Sequence, residues 1–508
     1  MQLFRKLQII DKIFLIYLLA YFIIYLPTFW FTSATADEGT HLLLATFYRD
    51  LIQNIFSTKN FSFQHAYDFG INYLVHYPKI QIAYPPLYHL IVGNLFFPLF
   101  GTTLFAGRLV GLLFALLSYS MLYVLVKKFF NPKMALISVL FFSLDPFSLL
   151  FAKRAMADYV AFFFMFASIY LYYQALKSKQ KKYFFFAGVF ASLAALSKQF
   201  AGIVIIFMFF HYLLSKNKNY KNLFVLVASF LILLVPYLYI LSKIGGFQIN
   251  YLVAYQYAVT TGEPTSFSNP SLWTYYLVRT TYRFYLLPLF LAVFIFYVYR
   301  KQKFWKEMLI WFLIFYIAIS VIPNKEERFS QYFLISFYIA ASFYFSKLNK
   351  KILVLFFLAY TILSLYPIKS TFVYYPTHEV SQFVYNNLPT GANVAVFSEG
   401  PYTYSSAYMF YLASLDRGKS IHVLRPCAFD NKNSQQILGI LKESNVYFII
   451  ADPKADNTFI TLIKGNAKRV QLGEISSIEV YSVKNFTYLE RTEKCNYVCL
   501  TEEKICEK

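Results

Sequence analysis

Negative charge is scarce in the first 367 residues of this chain. They contain only eleven Asp and Glu residues, while 58% of the 508 residues are hydrophobic and 14% are charged. Because soluble domains are about a quarter charged, this composition excludes a soluble protein and predicts an integral membrane protein. Ionisable groups in or beside hydrocarbon are functional candidates by default, so the few acids are the first candidates for a site.

Other absences narrow the class of protein further. The sequence contains no Gly-x-Gly-x-x-Gly motif, no P-loop and no tandem repeat, which argues against a nucleotide fingerprint and a repeat architecture. The formal net charge of +22 does not indicate nucleic acid, because most of the positive charge lies in short loops rather than on one face. We therefore expect membrane lipids, and no nucleic acid, among the partners.

The positive charge is concentrated in six short segments, near residues 5–12, 127–133, 177–182, 216–221, 300–306 and 347–351. The positive-inside rule places all six in the cytoplasm. This predicts a multi-pass protein of the plasma (cytoplasmic) membrane with a cytoplasmic amino terminus, an extracytoplasmic carboxyl terminus and about eleven transmembrane helices. The predicted spans are 13–31, 103–126, 134–150, 158–176, 183–197, 199–214, 222–243, 284–299, 306–322, 330–346 and 352–367.

The apolar stretch 183–214 is the ambiguous part of this topology. As a single helix its 32 residues would be about 48 Å long, well beyond a hydrocarbon core of about 30 Å. Two crossings with a turn at residues 197–199 also keep both flanking lysine segments in the cytoplasm. We therefore interpret the stretch as two spans.

The composition changes after about Pro376. Fourteen of the twenty-five acids lie beyond that residue, and no later segment is apolar enough to span a membrane. We predict an all-α transmembrane domain over residues 1–375, with a long first outer loop at 32–102, and a soluble extracytoplasmic α/β domain over residues 376–508. The predicted strands are 394–397, 421–424, 446–451 and 478–483, and the predicted helices are 379–387 and 434–441.

The four cysteines, Cys427, Cys495, Cys499 and Cys506, all lie in the predicted outer domain. An oxidising compartment would permit two disulfides, and four cysteines allow three pairings. Free thiols and a metal site are weaker alternatives, because the cysteine spacing lacks two close pairs and no histidine is nearby. The sequence leaves the pairing open, and it also leaves open whether the protein needs a divalent metal.

The outer loop 32–102 is much longer than an ordinary connection, and loops of this length are usually functional or disordered. Residues 41–56 carry apolar side chains at helical spacing, which predicts a helix at the membrane interface. The motif from Tyr84 to His89, Tyr-Pro-Pro-Leu-Tyr-His, predicts a rigid turn. Such a turn is either purely structural or positions substrate, and Tyr84 and His89 are the candidate binding residues.

Asp37 and Glu38 are adjacent acids just beyond the first apolar segment. The residues alone leave two interpretations open. Either the two acids cap an interfacial helix that begins near Gly39, as acids do at helix starts, or they form a site, because a carboxylate pair at a membrane exit is costly.

The outer loops carry isolated basic residues, against the bias of the positive-inside rule. Attraction to anionic lipid is one explanation. We favour the other, a phosphate-bearing substrate, because Arg and Lys are the natural partners of phosphate and the exceptions lie on the same face as Asp37. The residues concerned, with one neighbouring acid, are Arg108, Lys153, Arg154, Asp158, Lys198, Lys325 and Arg328.

Several short motifs occur in a fixed order on the outer side of the predicted membrane domain. They are Ala36-Asp37-Glu38 after the first span, Tyr84-Pro85-Pro86-Leu87 in the loop, Phe105-Ala106-Gly107-Arg108-Leu109 at the second span, Lys153-Arg154 with Asp158 before the fourth, and Glu327-Arg328-Phe329 before the tenth. In this order the chain resembles the polyprenyl-phosphate-dependent membrane glycosyltransferases of the C-type (GT-C) fold, family 39. That family includes protein O-mannosyltransferases and aminoarabinose transferases.

The resemblance implies transfer of a sugar from an undecaprenyl- or dolichyl-phosphate donor to a lipid, glycan or protein acceptor at the outer face. In such enzymes the position matching Asp37 is the general base that deprotonates the acceptor hydroxyl, and one direct displacement inverts the anomeric configuration. Glu38 would orient the acceptor or the base, and Asp158 would position a basic neighbour. The departing phosphate would be neutralised by Arg108, Lys153, Arg154, Lys198 and Arg328.

Two other functions stay as alternatives. A transporter or channel for a lipid-linked or anionic solute would line its path with the outer charges, but the spans contain few charges and no evident inverted repeat. An O-antigen ligase or polymerase usually carries its large outer loop late in the chain, whereas this loop lies between the first two predicted spans. The sequence does not identify the sugar, the acceptor or the oligomeric state.

Overall fold

The structure is a computed structural model, and helices make up most of what it describes. The helices run through the chain from residue 9 to residue 415, and the strands lie between residues 393 and 506. The described residues are 8–32, 34–59, 62–77, 80, 84–215, 219–243, 264–322, 325–367, 376–389, 392–397, 405–416, 423–424, 441, 446–451, 467–470, 479–483, 495–497 and 504–506.

The helices are numbered along the described part of the chain. Three single turns of 3₁₀-helix, at Leu26–Phe29, Gln199–Ile203 and Glu327–Ser330, accompany them. The helices are α1 (Ile9–Tyr25), α2 (Ala36–Ser57), α3 (Phe63–His76), α4 (Leu87–Phe100), α5 (Leu104–Phe129), α6 (Pro132–Ser143), α7 (Pro146–Phe151), α8 (Asp158–Ser178), α9 (Lys181–Ser197), α10 (Val204–Leu214), α11 (Tyr220–Lys243), α12 (Pro270–Arg283), α13 (Leu287–Tyr299), α14 (Trp305–Val321), α15 (Gln331–Phe345), α16 (Lys350–Leu365), α17 (Thr377–Asn387) and α18 (Ser405–Leu415).

Contacts divide the chain into two compact units. The first unit comprises Met1–Phe29, Ala83–Tyr88 and Arg108–Phe372, and the second comprises Trp30–Ile82, His89–Gly107 and Val373–Lys508. Most of the long loop therefore groups with the carboxyl-terminal region, whereas the sequence assigns that loop to the transmembrane domain. The division into domains 1–375 and 376–508 stays a prediction.

The first unit is a bundle of apolar helices, and the protein is a multi-pass membrane protein. A helix covers the greater part of every predicted span. By length and composition, four helical segments of the described chain can each cross a membrane: Ile9–Phe29, Leu104–Phe129, Asp158–Ser178 and Tyr220–Lys243. The number of eleven crossings and the orientation of the termini stay predictions.

One predicted span, 134–150, is not a continuous helix. It is broken between α6 and α7, because Asp145 and Pro146 start a new helix: Asp145 Oδ1 accepts a hydrogen bond from the backbone N–H of Ser148 at 2.6 Å, and Pro146 lies in the first turn. The buried Asp145 carboxylate also accepts hydrogen bonds from Gln331 Nε2 at 3.2 Å and from the Tyr338 hydroxyl at 3.0 Å. Both donors lie on α15, so the break is fixed by a distant helix.

The stretch 183–214 divides as predicted into two helices. Helix α9 ends at Ser197, Lys198 adopts an extended backbone, and the chain resumes as a 3₁₀ turn before α10. Helix α9 packs closely on α11, since a Cβ added at Gly188 would overlap Leu226 O and Ser229 Oγ. Close packing on a small residue is typical of membrane helices.

In the second unit, α2 packs against α18. A Cβ added at Gly39 would overlap the backbone of Ser406 and Ala407, and Thr40 Oγ1 donates a hydrogen bond to Ser406 Oγ at 3.0 Å. The loop helix α2 and the carboxyl-terminal helix α18 therefore share one core. This contact explains why the first loop groups with the end of the chain.

The second unit also contains a mixed sheet of five strands in the order β2-β1-β3-β5-β4. Strand β1 pairs in parallel with β2 and β3, whereas β5 is antiparallel to β3 and β4. The strands are β1 (Asn393–Phe397), β2 (Val423–Leu424), β3 (Val446–Ala451), β4 (Ala467–Val470), β5 (Glu479–Val483), β6 (Cys495–Tyr497) and β7 (Lys504–Cys506), and β6 and β7 form a separate antiparallel pair.

The predicted strands 394–397 and 446–451 coincide with β1 and β3, and the predicted helix 379–387 coincides with α17. β2 and β5 fall within the other two predicted strands, whereas residues 434–440 of the predicted second helix lie outside the described residues. Cys427 and Cys499 also lie outside them. The β6–β7 register places Cys495 opposite Cys506, and the disulfide pairing stays a prediction.

Candidate active site

The side chain of Glu38 helps to cap the start of helix α2. Thr35 is the N-cap residue: its hydroxyl accepts a hydrogen bond from the Glu38 N–H at 3.3 Å, while Glu38 Oε2 accepts from the Thr35 N–H at 3.0 Å and from the Thr35 hydroxyl at 3.2 Å. This reciprocal arrangement is a capping box, which satisfies backbone donors that the helix leaves without partners. The Glu38 side chain is fully buried.

Asp37 lies beside Glu38 but is exposed. Helix α2 begins at Ala36, which places Asp37 in its first turn, where the unpaired N–H groups favour negative charge. The prediction that the helix begins near Gly39 is therefore wrong by three residues, because Thr35 and Glu38 form the cap. The capping interpretation fits Glu38, whereas Asp37 is exposed.

His89 contacts a residue that the sequence did not single out as a candidate. His41 Nδ1 and His89 Nε2 are 2.8 Å apart, and the two rings are nearly parallel with centroids 5.1 Å apart. His89 is fully buried, and the Tyr48 ring lies 6.2 Å from it. The sequence did offer one signal for His41. It lies four residues after Asp37, a spacing that puts both side chains on one face of a helix.

Tyr84 lies in the turn that leads into α4. It is half-buried, and the following Pro85 is buried. Tyr84 belongs to the first unit and His89 to the second. The role of both residues in substrate binding stays a prediction.

In the first unit, three predicted site residues from distant segments come together. Lys198 Nζ forms an ion pair with Asp158 Oδ1 and lies 4.8 Å from the centroid of the Phe329 ring. Asp158 is the first residue of α8, and Lys198 follows the last residue of α9. The ion pair therefore joins the ends of two adjacent helices.

Arg328 belongs to the same group. Its Nη2 lies 2.5 Å from Glu326 Oε2, and its guanidinium lies 4.9 Å from the centroid of Phe151 and 5.8 Å from that of Phe329. The side chain is only 7% exposed. The neighbouring Glu327 pairs instead with Arg283, at 3.4 Å. We call Asp158, Lys198, Glu326 and Arg328 the charged cluster.

The pKa of Lys198 shows that these groups act on one another. Burial lowers the pKa of the Lys198 ammonium below its ordinary value, and Arg328 adds repulsion in the same direction. The carboxylates of Asp158 and Glu326 oppose this shift. Two cations, Arg328 buried and Lys198 partly buried, are thus held in place by two acids, and an incoming anion would have to compete with those acids.

Three other predicted basic residues lie in two different parts of the first unit. Arg154 stacks over Phe151, with its guanidinium 5.2 Å from the ring centroid, so it shares that ring with Arg328. Its backbone is set close to α5, because a Cβ added at Gly111 would overlap the Arg154 carbonyl. Arg108 and Lys153 are both buried and contact the end of the first helix.

Arg108 and Lys153 each contact a different residue near the end of the first helix. Arg108 Nη1 donates a hydrogen bond to Phe29 O at 2.9 Å, and Lys153 Nζ lies 5.8 Å from the centroid of the Tyr25 ring. Asp37, Glu38 and His89 belong to the other unit. Among the described residues, no three His, Cys, Asp or Glu side chains are grouped so that they could hold a metal ion.

The bundle of helices followed by a mixed sheet is the fold of the C-type membrane glycosyltransferases. The chain is similar to ArnT from Cupriavidus metallidurans in its apo state, with a TM-score of 0.61 and 11% identity over 93% of this chain and 98% of that one. It is also similar to the same ArnT bound to undecaprenyl phosphate, with a TM-score of 0.62 and 12% identity over 94% and 99% of the two chains. At such low identity the likeness shows the fold.

A third similar structure is the oligosaccharyltransferase AglB from Archaeoglobus fulgidus, in complex with an inhibitory peptide and a dolichol-phosphate. Its TM-score is 0.50, with 12% identity over 94% of this chain and 75% of that one. Residues 84–240 match the model of the dolichyl-phosphate-mannose-protein mannosyltransferase family. The resemblance suggested by the sequence motifs is thereby confirmed. No protein in a search of curated sequences matches the chain.

Proposed function

We propose that this protein is a membrane glycosyltransferase that transfers a sugar from a polyprenyl-phosphate donor to an acceptor at the outer face of the plasma membrane. The donor lipid is undecaprenyl or dolichyl phosphate, and the acceptor is a hydroxyl of a lipid, glycan or protein. Asp37 acts as the general base in a single inverting displacement. The amino terminus lies in the cytoplasm and the carboxyl-terminal domain outside it.

The main support for this proposal is the geometry of the charged cluster. Its two cations come from positions 198 and 328, and both are largely removed from water. A departing polyprenyl phosphate is a phosphate monoester, for which a guanidinium offers two parallel hydrogen bonds and an ammonium offers a compact charge. Buried cations stabilise charge that develops on a leaving group more strongly than exposed cations do.

The geometry around Asp37 supports its role as base. Glu38 fills the cap of α2, so the Asp37 carboxylate is not needed to start the helix. An exposed carboxylate can reach the hydroxyl of a bulky acceptor, and a base must come within hydrogen-bond reach of the proton that it removes. Glu38, in contrast, supports the reaction by holding the first turn of α2 in place.

The similar proteins support the class of donor. One ArnT structure contains undecaprenyl phosphate, and the AglB structure contains a dolichol-phosphate. The matching family is described by a dolichyl-phosphate sugar as well. Both lipids present a phosphate at the end of a polyprenyl chain, which is the chemistry that the charged cluster fits.

The test is a transfer assay with the full-length protein in lipid nanodiscs. Polyprenyl-phosphate donors carrying different hexoses and pentoses are offered with a panel of hydroxyl acceptors, and mass spectrometry follows the free polyprenyl phosphate and the glycosylated product. We expect both products to appear together and the new linkage to be inverted. Movement of a lipid-linked sugar across the bilayer with no bond cleaved would overturn the proposal and favour a transporter.

A further inference from the structure

Two histidines from opposite ends of the long loop meet in the second unit. His41 lies in α2 and His89 in α4, and 2.8 Å separates His41 Nδ1 from His89 Nε2. His89 is fully buried and His41 half-buried. We call these two residues the histidine pair.

The hydrogen bond within the histidine pair limits its charge. A bond between two imidazole nitrogens needs one N–H donor and one bare nitrogen acceptor. Two neutral rings satisfy this requirement, and so do one imidazolium and one neutral ring. Two imidazolium rings do not, because both facing nitrogens would carry hydrogen. The pair can therefore take up one proton, and not a second, without losing its hydrogen bond.

The histidine pair is also one helical turn from the proposed base along α2. Asp37 and His41 are four residues apart in α2, and side chains at this spacing are neighbours on one helix face. A helical side chain leans toward the amino-terminal turn, so His41 leans toward the turn that carries Asp37. His41 Nδ1 is engaged by His89, so Nε2 is the ring nitrogen of His41 that does not take part in the bond between the two rings.

We propose that the histidine pair receives the proton that Asp37 removes from the acceptor, an inference that rests on the proposed function. During transfer the acceptor O–H bond breaks, and its proton goes to the Asp37 carboxylate. The acceptor oxygen bonds to the anomeric carbon, and the electron pair of the broken sugar–phosphate bond leaves with polyprenyl phosphate. Protonated Asp37 then passes the proton to His41 Nε2, and the imidazolium finally releases it to water.

In this scheme the two histidines are positioning residues that act through Asp37. The scheme requires the tautomer in which His41 Nδ1–H donates to His89 Nε2. This hydrogen bond holds the His41 ring in one orientation and leaves Nε2 as the basic nitrogen. The consequence is that Asp37 returns to its carboxylate form inside the site.

The experiment uses two substitutions that keep the hydrogen bond of the pair. His41→Asn places an amide where Nδ1 lies but removes Nε2, and His89→Gln places an amide where Nε2 lies. We expect His41→Asn to lower kcat by about tenfold or more, to leave the donor KM within about twofold, and to regain activity when imidazole is added. His89→Gln should lower kcat less than His41→Asn does, since it still binds His41.

His65→Gln is the matched control, because His65 Nε2 contacts Asn54 Oδ1 at 2.7 Å in the same unit and is not part of the pair. It should behave as the unsubstituted protein. A folded His41→Asn protein with normal kcat would overturn the inference. A raised donor KM with no response to imidazole would also overturn it, in favour of a structural role. If the unsubstituted protein transfers no sugar, the proposed function itself fails.

Discussion

At the scale of single residues, the two adjacent acids have different tasks. Glu38 is buried in a capping box, and Asp37 is exposed in the same helical turn. The sequence presents them as equivalent, since both are acids at a helix start. Only the hydrogen bonds of Thr35 separate the residue that builds the helix from the residue that can meet a substrate.

Asp37→Asn is expected to abolish most of the activity without unfolding the protein. The amide has nearly the same size but cannot accept the acceptor's proton, so turnover should fall by about a hundredfold or more. Binding of polyprenyl phosphate, measured by calorimetry, should change little, because the cations of the charged cluster are intact. Asp68→Asn is the control, since Asp68 accepts a hydrogen bond from Gln64 on α3; equal losses in both variants would exclude Asp37 as the base.

Glu38 should respond to its two substitutions in different ways. Glu38→Gln keeps an oxygen that can accept from Thr35, so stability and turnover should stay near normal. Glu38→Ala removes the Glu38 half of the capping box and should lower the free energy of unfolding by about 1 kcal/mol. Thermal unfolding compares the two variants. A large loss of turnover in a stable Glu38→Gln protein would instead point to a charge requirement at this position.

At the scale of elements, two acids lie close to the proposed phosphate site. They are Glu327, in the turn Glu327–Ser330, and Glu326, just before it. Glu326 holds Arg328 at 2.5 Å, whereas Glu327 contacts Arg283. We expect Glu326→Gln to tighten binding of polyprenyl phosphate by about two- to fivefold, the size of a modest ion pair. Glu327→Gln should not change it. Weaker binding in Glu326→Gln would show that the carboxylate positions Arg328 rather than competing with phosphate.

The contact of α2 with α18 predicts a graded loss of stability. Gly39→Ala places a methyl group against the backbone of Ser406 and Ala407, which should lower the free energy of unfolding by about 1–3 kcal/mol. Thr40→Val loses the hydroxyl that contacts Ser406 Oγ and Ala36 O, which should cost about 1 kcal/mol. Chemical denaturation ranks the two variants. The reverse order would mean that α2 and α18 move apart readily.

An element could be predicted where its own sequence carries a clear pattern, and not where it lacks one. Strand β3 is an uninterrupted apolar run and was predicted, whereas β4, Ala-Lys-Arg-Val, offers no such run and was missed. Helix α18 mixes serine, alanine and aromatic residues without a clear period and was also missed. The break before α7 had a visible signal, the dipeptide Asp145-Pro146, which typically starts a helix.

The charged cluster could be predicted only in part. Charge asymmetry across the membrane was enough to select Asp158, Lys198 and Arg328 as candidates. Their pairing was not predictable, because Asp158 and Lys198 are 40 residues apart and meet only when α8 packs on α9. The pairing of His41 with His89, across 48 residues, depends in the same way on tertiary structure.

At the scale of the whole molecule, the membrane topology is the main prediction that an experiment can settle. Ser57 and Gln180 are both exposed, and the lysine asymmetry places them on opposite sides of the membrane. In intact cells, Ser57→Cys should react with a membrane-impermeant thiol reagent more than the unsubstituted protein does. Gln180→Cys should react only after the cells are opened. Labelling of Gln180→Cys in intact cells would reverse the proposed orientation.

The break at Asp145 bears on how the chain is assembled during synthesis. The donors from Gln331 and Tyr338 lie 186 and 193 residues further along the chain. A ribosome that has completed α7 has therefore produced a carboxylate whose distant partners do not yet exist. An unpaired polar group is costly in hydrocarbon. Until α15 is made, Asp145 has only its local hydrogen bond from the Ser148 N–H. The first half of the bundle consequently completes the hydrogen bonds of this carboxylate only after α15 has been synthesised, so a nascent chain that ends before α15 carries an incompletely paired acid.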